Sequence, residues 1–168
     1  MLSESARMSS AVEARFRINT PNSRPRAVTV IALDPPSDRV VRDLAGGSWN
    51  GATFLTASAL SGAPRDAGAV GGWLSDLTGR TRNLVEETGS ADLVVMVATA
   101  GEDAQAASWI GKACSLRRVT TTVLVLGGAA TPDDAMSKTL AQVRPWALMV
   151  VIASAVEWIE DMLRALRA

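Results

Sequence analysis

The sequence predicts an α/β protein with a Rossmann-like doubly wound domain. Its mostly parallel sheet is expected to have five or six strands, with helices on both faces. Two observations lead to this prediction. Continuous apolar runs, typical of strands buried on both faces, alternate with stretches of helical spacing. Apolar residues also make up 48% of the 168 residues, enough to bury a core of this kind.

The composition divides the chain into two parts. Residues 1–26 are polar, rich in arginine and broken by two prolines near their end, which predicts a flexible N-terminal arm. Residues 27–168 hold all the strong apolar runs. We therefore expect residues 27–168 to form a single Rossmann-like domain.

Signals for three strands and two helices fill the first half of this domain. An apolar run before Asp34-Pro35-Pro36 predicts a buried strand that the prolines stop. Ser37 or Asp38 is then expected to cap a helix. The predicted elements are strands at 27–33 and 52–57, a helix at about 39–45, a loop at 58–72, a short strand from 73 to 77 and a helix at 81–88.

The stretch 91–128 predicts a parallel βαβ unit at the centre of the domain. Two Val-rich runs flank a helical stretch, and the helix has one apolar face that can lie on a sheet. Its inward residues are predicted to be Ala106, Trp109, Ile110, Ala113 and Cys114. Gly111 lowers the helix propensity of this segment and is expected to cost stability, unless close packing at that position needs a glycine.

The last third of the chain predicts two more helices around one strand. Thr131-Pro132 followed by two aspartates is typical of a helix start, with a capping hydroxyl and proline at the first helical position. An apolar strand is predicted at 147–153 and a final helix at 157–167. Trp158 is expected to face inward from that helix.

Composition excludes several classes of function. The absence of histidine removes histidine bases and histidine metal ligands, and no metal ligand set is predicted. A formal net charge of zero argues against a nucleic-acid partner. No apolar run approaches the roughly 18 residues that cross a membrane, so no membrane role is expected. Cys114 is the one cysteine and cannot form an internal disulfide, which favours the cytoplasm.

The loops that follow the predicted strands are the candidate ligand sites. Gly127 and Gly128 precede the helix start at Thr131, and this arrangement favours a small anionic ligand such as a nucleotide. Gly101, Glu102 and Asp103 occupy the neighbouring loop. Two interpretations of its acids stay open: they cap the next helix, or they join Asp34 around a divalent cation.

Three further residues are candidates for contact with a partner. Trp49, Asn50 and Trp73 lie in glycine-rich surroundings, where an exposed indole could stack on another molecule. We therefore expect a protein partner or a homo-oligomer, with these residues in the contact.

Residues 91–153 resemble the nucleotide-binding domain of bacterial tubulin-like cell-division GTPases. The resemblance rests on a strand ending in Thr99-Ala100-Gly101, a helix, a Val-rich strand, another helix and an apolar strand. It implies the α/β architecture and a nucleotide beside Gly101. Where that family has its glycine-rich loop, however, this chain has Glu102-Asp103-Ala104-Gln105, and two acids repel a triphosphate.

The chain contains neither a Gly-x-Ser-x-Gly sequence nor a P-loop. The sequence therefore predicts a non-catalytic accessory or regulatory protein that acts through protein–protein contacts. One alternative is a nucleotide- or small-molecule-binding domain that uses the loops after the strands. Another is a hydrolase or transferase with Asp34 or Glu102 as general base. No cofactor is indicated by the residues.

Overall fold

The computed structural model describes residues 26–58, 60, 72–166 and 168. The predicted arm lies outside these ranges except for Arg26. The strands are β1 Val28–Ala32, β2 Ala52–Thr56, β3 Trp73–Asp76, β4 Thr81–Asn83, β5 Leu93–Thr99, β6 Thr120–Leu126 and β7 Met149–Ala153. The α-helices are α1 Pro35–Ala45, α2 Leu84–Gly89, α3 Ala106–Arg117, α4 Asp133–Val143 and α5 Val156–Ala165. None of these helices is long and apolar enough to cross a membrane.

The strands form one sheet in the order β4-β3-β2-β1-β5-β6-β7. Strands β2, β1, β5, β6 and β7 are parallel, and β3 and β4 pair antiparallel at one edge. The predicted α/β class with a mostly parallel sheet is thus confirmed. The predicted count of five or six strands is wrong, because the described sheet has seven.

The additional strand is β4, which occupies the first part of a predicted helix. Residues 81–83 pair with β3 instead, and α2 begins only at Leu84. Asp76 holds the turn between β3 and β4. Its Oδ1 accepts from the Thr78 hydroxyl at 2.6 Å and from the backbone N–H groups of Thr78 and Arg80. These hydrogen bonds hold the pKa of Asp76 below its ordinary value, and the bond from the Thr78 hydroxyl has the largest effect. Gly79 supplies the positive φ of 85°.

Helix α1 begins earlier than the sequence analysis predicts. Pro35 and Pro36 are its first two residues rather than only the end of the strand, and Asp34 is the N-cap. Ser37 donates its backbone N–H to the Asp34 carboxylate, and the Ser37 hydroxyl oxygen accepts from the backbone N–H of Asp34. Proline suits this position because its missing N–H is unpaired there in any helix.

Helices pack on both faces of the sheet. On one face the core includes residues of α2, α3 and α4, and on the other it includes residues of α1 and α5. The predicted inward position of Trp158 is wrong, since its side chain is 67% exposed. From α5 it is Ile159 and Leu163 that are buried against the sheet.

Close packing at Gly111 is confirmed. A Cβ placed on this residue would lie 2.6 Å from Cβ of Trp146, in the short 3-10 turn that follows α4. The contacting atom is next to the backbone, so rotation of the indole cannot relieve the overlap. Glycine at this position therefore lets α3 approach the end of α4.

Replacing Gly111 with alanine should destabilise the protein even though alanine is the better helix former. We expect Gly111→Ala to lower the free energy of unfolding by about 1–3 kcal/mol, because α3 and the turn at Trp146 must separate. Urea denaturation followed by circular dichroism measures the change. Gly89→Ala is the matched control, since a Cβ there meets only ordinary contacts with Arg117. Equal stability of the two variants would contradict the packing argument.

Candidate functional site

The order of the strands marks where a ligand is expected. From β1 the chain moves outward through β2, β3 and β4, then returns to β5 on the other side of β1. In open α/β sheets, ligands bind at the carboxyl ends of the strands where the direction of winding reverses. In this protein that position lies between the ends of β1 and β5, beside Asp34 and Thr99.

The crevice at this position is bridged by the chain's own hydrogen bonds. Oδ2 of Asp34 accepts from the backbone N–H of Thr99 at 2.7 Å. Oδ1 accepts from the Thr99 hydroxyl at 2.9 Å and from the backbone N–H of Ser37 at 2.8 Å. The carboxylate is buried and both of its oxygens are occupied. Asp34 is therefore arranged as a structural link, and three of the roughly four acceptor sites of its carboxylate are taken, which disfavours a role as general base.

The loop after β5, which contains Gly101, Glu102 and Asp103, is bonded to α4. The backbone N–H of Gly101 donates to the hydroxyl of the buried Thr139 at 2.9 Å. The N–H of Ala104 donates to the Gln142 side-chain oxygen at 2.7 Å, and the Lys138 ammonium donates to the Gly101 carbonyl. The donors that would hold a phosphate are thus already engaged.

The acids of this loop do not cap helix α3. That helix begins at Ala106, has Gln105 as its N-cap and has no acid in its first turn. Asp103 instead accepts from the backbone N–H of Gln105 and from the side-chain amide of Gln142. Glu102 is exposed. Both acids add negative charge to the rim at which an anion would have to arrive.

The loop after β6, which contains Gly127, Gly128 and Thr131, lies against the Gly101 loop. A Cβ on Gly127 would lie 3.3 Å from Cβ of Ala100 and 2.5 Å from the terminal methyl of Met136. The structure thus brings these two sets of predicted ligand residues together. The space beside Gly127 is narrow, whereas a Cβ on Gly128 would meet no atom within 4 Å.

Thr131 does not have its predicted role as a helix cap. The N-cap of α4 is Pro132, without a side-chain hydrogen bond, and the helix starts at Asp133. The Thr131 backbone N–H closes a turn by donating to the Gly128 carbonyl at 2.9 Å. Asp133 and Asp134 then occupy the first helical turn. Their carboxylates complement the helix dipole in the place that an anion would take.

A small polar cleft lies at the ends of β1 and β2. Its volume is about 150 Å³, and it is lined by Leu33, Asp34, Pro35, Asp38, Thr56 and Ser58. Oδ2 of Asp38 pairs with the Arg42 guanidinium at 2.8 Å, but its buried Oδ1 has no hydrogen-bond partner among the residues that the structure describes. Within the described part of the chain, no three carboxylates or cysteines meet in a group that could hold a metal ion.

Cys114 is buried on the sheet-facing side of α3, as predicted. Burial raises the pKa of its thiol to about 12, because the apolar surroundings disfavour the thiolate. At neutral pH the thiol therefore stays protonated and is a poor nucleophile.

The three residues predicted to contact a partner do not form one surface. Trp49 lies before β2, where its indole N–H donates to the Leu44 carbonyl at 2.7 Å and its ring packs against Phe54 and the Arg164 guanidinium. Asn50 is exposed beside it. Trp73 is exposed at the start of β3. This position lies beyond the carboxyl end of β2, whereas Trp49 lies before the amino end of β2. Their part in a partner contact stays a prediction.

An apolar surface at the far edge of the sheet was not found from the sequence. Seven large apolar side chains are exposed among the described residues, and five of them lie on or beside β7 and α5. These five, which we name the β7–α5 surface, are Leu148, Met149, Ile152, Val156 and Trp158. Two of them, Ile152 and Trp158, line a groove of about 540 Å³ between the strand and the helix. The continuous apolar run at 147–153 predicts a buried strand, but it does not show that the strand lies at an edge.

Comparison with protein-family models and with curated proteins gave no match. The resemblance to tubulin-like cell-division GTPases therefore stays a prediction.

The link between Asp34 and Thr99 can be tested with an isosteric change. In Asp34→Asn the new amide must direct an NH₂ group either at the Thr99 N–H or at the Ser37 N–H, leaving buried donors unpaired. We expect a loss of about 1–3 kcal/mol in the free energy of unfolding, measured by urea denaturation. Asp133→Asn, at an exposed position of α4, should stay within about 0.5 kcal/mol of the unaltered protein. An Asp34→Asn protein of undiminished stability would show that the link is dispensable.

Proposed function

We propose that this chain is a non-catalytic accessory or regulatory protein that acts through contacts with other protein chains. In this proposal a Rossmann-like doubly wound domain serves as the scaffold, and the β7–α5 surface is the contact. The single observation that carries the proposal is the concentration of exposed apolar side chains there, led by Leu148 at 82% and Trp158 at 67% exposure. Large apolar side chains gathered at one exposed edge of a sheet are typical of interaction sites.

The hydrogen bonds at the carboxyl ends of the strands support the same proposal. A catalytic or nucleotide site of an open α/β sheet needs free donors and a reactive side chain at this position. Here Asp34 is occupied by Thr99 and Ser37, and the N–H groups of Gly101 and Ala104 donate to α4. Binding a phosphate there would require these bonds to break first.

The contact can be tested by photo-crosslinking in cells that produce the protein. A benzophenone amino acid at position 158 should give discrete crosslinked species, because the side chain lies within the proposed contact. The same amino acid at position 116 is the matched control, since Leu116 is also largely exposed, at 66%, but lies on α3, on the opposite face of the sheet from α5. Absence of any crosslink from position 158, or equal crosslinking from both, would count against the proposal.

A second candidate function is supported by the cleft beside Asp38. Its unpartnered Oδ1 requires a hydrogen-bond donor, and the cleft also contains the Asp34 carboxylate and the Thr56 and Ser58 side chains. A volume of about 150 Å³ is below that of ordinary ligand pockets and far too small for a nucleotide. The ligand class that fits is a small amine or polyol.

Thermal denaturation distinguishes this candidate from the nucleotide alternative. If the cleft binds such a ligand, ethanolamine or glycerol at about 100 times its Kd should raise Tm by roughly 5 °C or more. Asp38→Asn should abolish the shift, whereas Thr131→Val should leave it unchanged. Shifts caused by nucleotides with magnesium and lost in Thr131→Val would instead support the anion site. If no compound shifts Tm, both ligand alternatives fail.

A further inference from the structure

The two edges of the sheet differ in a way that points to a partner. Strand β4 is three residues long, and its Arg82 pairs with the carboxylates of Asp76 and Glu87. A short, charged edge strand of this type discourages pairing with another chain. At the other edge, residues 148–153 read Leu-Met-Val-Val-Ile-Ala, without a charge or a proline. Among the described strands, β7 pairs only with β6, so its other side presents backbone groups bordered by apolar side chains.

We propose that β7 pairs antiparallel with β7 of a second copy of this chain, about a twofold axis perpendicular to the sheet. This inference rests on the proposed function, since it names the partner of the β7–α5 surface. A twofold contact is isologous, so a single apolar edge is enough to build it. The sheet would continue through the dimer, and the backbone N–H and C=O groups left free along β7 would be satisfied.

The size of the surface agrees with that of a homodimer. Side chains as large as the five on the β7–α5 surface each present on the order of 100 Å² when exposed, or roughly 500 Å² in total. A stable interface buries about 800 Å² per partner, and homodimer interfaces are about 65% apolar, which requires about 520 Å² of apolar area. The five side chains alone thus supply close to the apolar area that one protomer needs.

The charges are compatible with this arrangement. The formal net charge of the chain is zero, so two copies have no overall repulsion. A twofold axis perpendicular to the sheet keeps the two α5 helices on the same face and makes them antiparallel. Helix α5 has Glu157 in its first turn and Arg164 in its last. The last-turn Arg164 is bonded to Glu160 and lies over the Trp49 ring, so the contact does not depend on a charge pair between the two helices.

The molar mass of the purified full chain tests the inference. Light scattering and sedimentation equilibrium should give twice the 17.6 kDa of one chain. Trp158→Glu and Ile152→Lys should each raise the dimer Kd by at least about 30-fold, as expected for central contacts. Leu116→Glu, at a similarly exposed apolar residue of α3, should leave the Kd unchanged. Circular dichroism and Tm confirm that each variant is folded, and either variant alone is sufficient if the other fails to fold.

Hydrogen exchange tests the pairing of the strands themselves. The amides of residues 149–153 that point away from β6 should exchange more slowly as protein concentration rises through the Kd. A protein that is monomeric at about 100 µM, or a dimer unaffected by both substitutions, would overturn the inference. A dimer without slowed exchange in β7 would overturn the strand pairing.

The two proposals fail in different ways. If the purified chain is a monomer and position 158 crosslinks in cells to a different protein, the dimer is wrong and the contact function stands. If the chain is a monomer and position 158 gives no crosslink, both are wrong.

Discussion

The carboxylate of Asp34 is the constraint on which the arrangement of this protein depends. Asp34 lies two residues after β1, and its carboxylate caps α1 and holds the end of β5 by accepting three hydrogen bonds from two neighbouring segments. A buried carboxylate is costly unless such donors satisfy it, so the three segments must stay together. The same bonds occupy the crevice in which α/β sheets of this type bind their ligands. Recognition by this chain is therefore better sought at the sheet edge than at the strand ends.

Much of the fold follows from local patterns. The apolar runs of β1, β5 and β6 and the glycine-requiring contact at Gly111 were predictable because each signal lies within one segment. The start of α1 was misjudged, since Pro35-Pro36 can both end a strand and begin a helix, and Asp34 decides between them as N-cap. Strand β4 was missed because residues 81–83 become a strand only by pairing with β3.

The candidate site depends on contacts that no local pattern contains. Gly101 and Ala104 donate to Thr139 and Gln142, residues 38 positions away in the chain. A glycine followed by two acids indicates a loop but not what the loop touches. Likewise, an apolar strand looks the same in the centre of a sheet as at its edge. The exposure of Trp158 follows from β7 being the last strand in the order, which only the assembled sheet shows.

The burial of Cys114 has a consequence for the chemical durability of the folded chain. Oxidation to a sulfenic acid and capture by glutathione both begin with an accessible thiolate. Here the one thiol of the sequence is covered by the core and has a pKa of about 12. Under oxidising conditions, the single cysteine of the folded protein should therefore stay unmodified. Any redox sensitivity would have to come from its methionines.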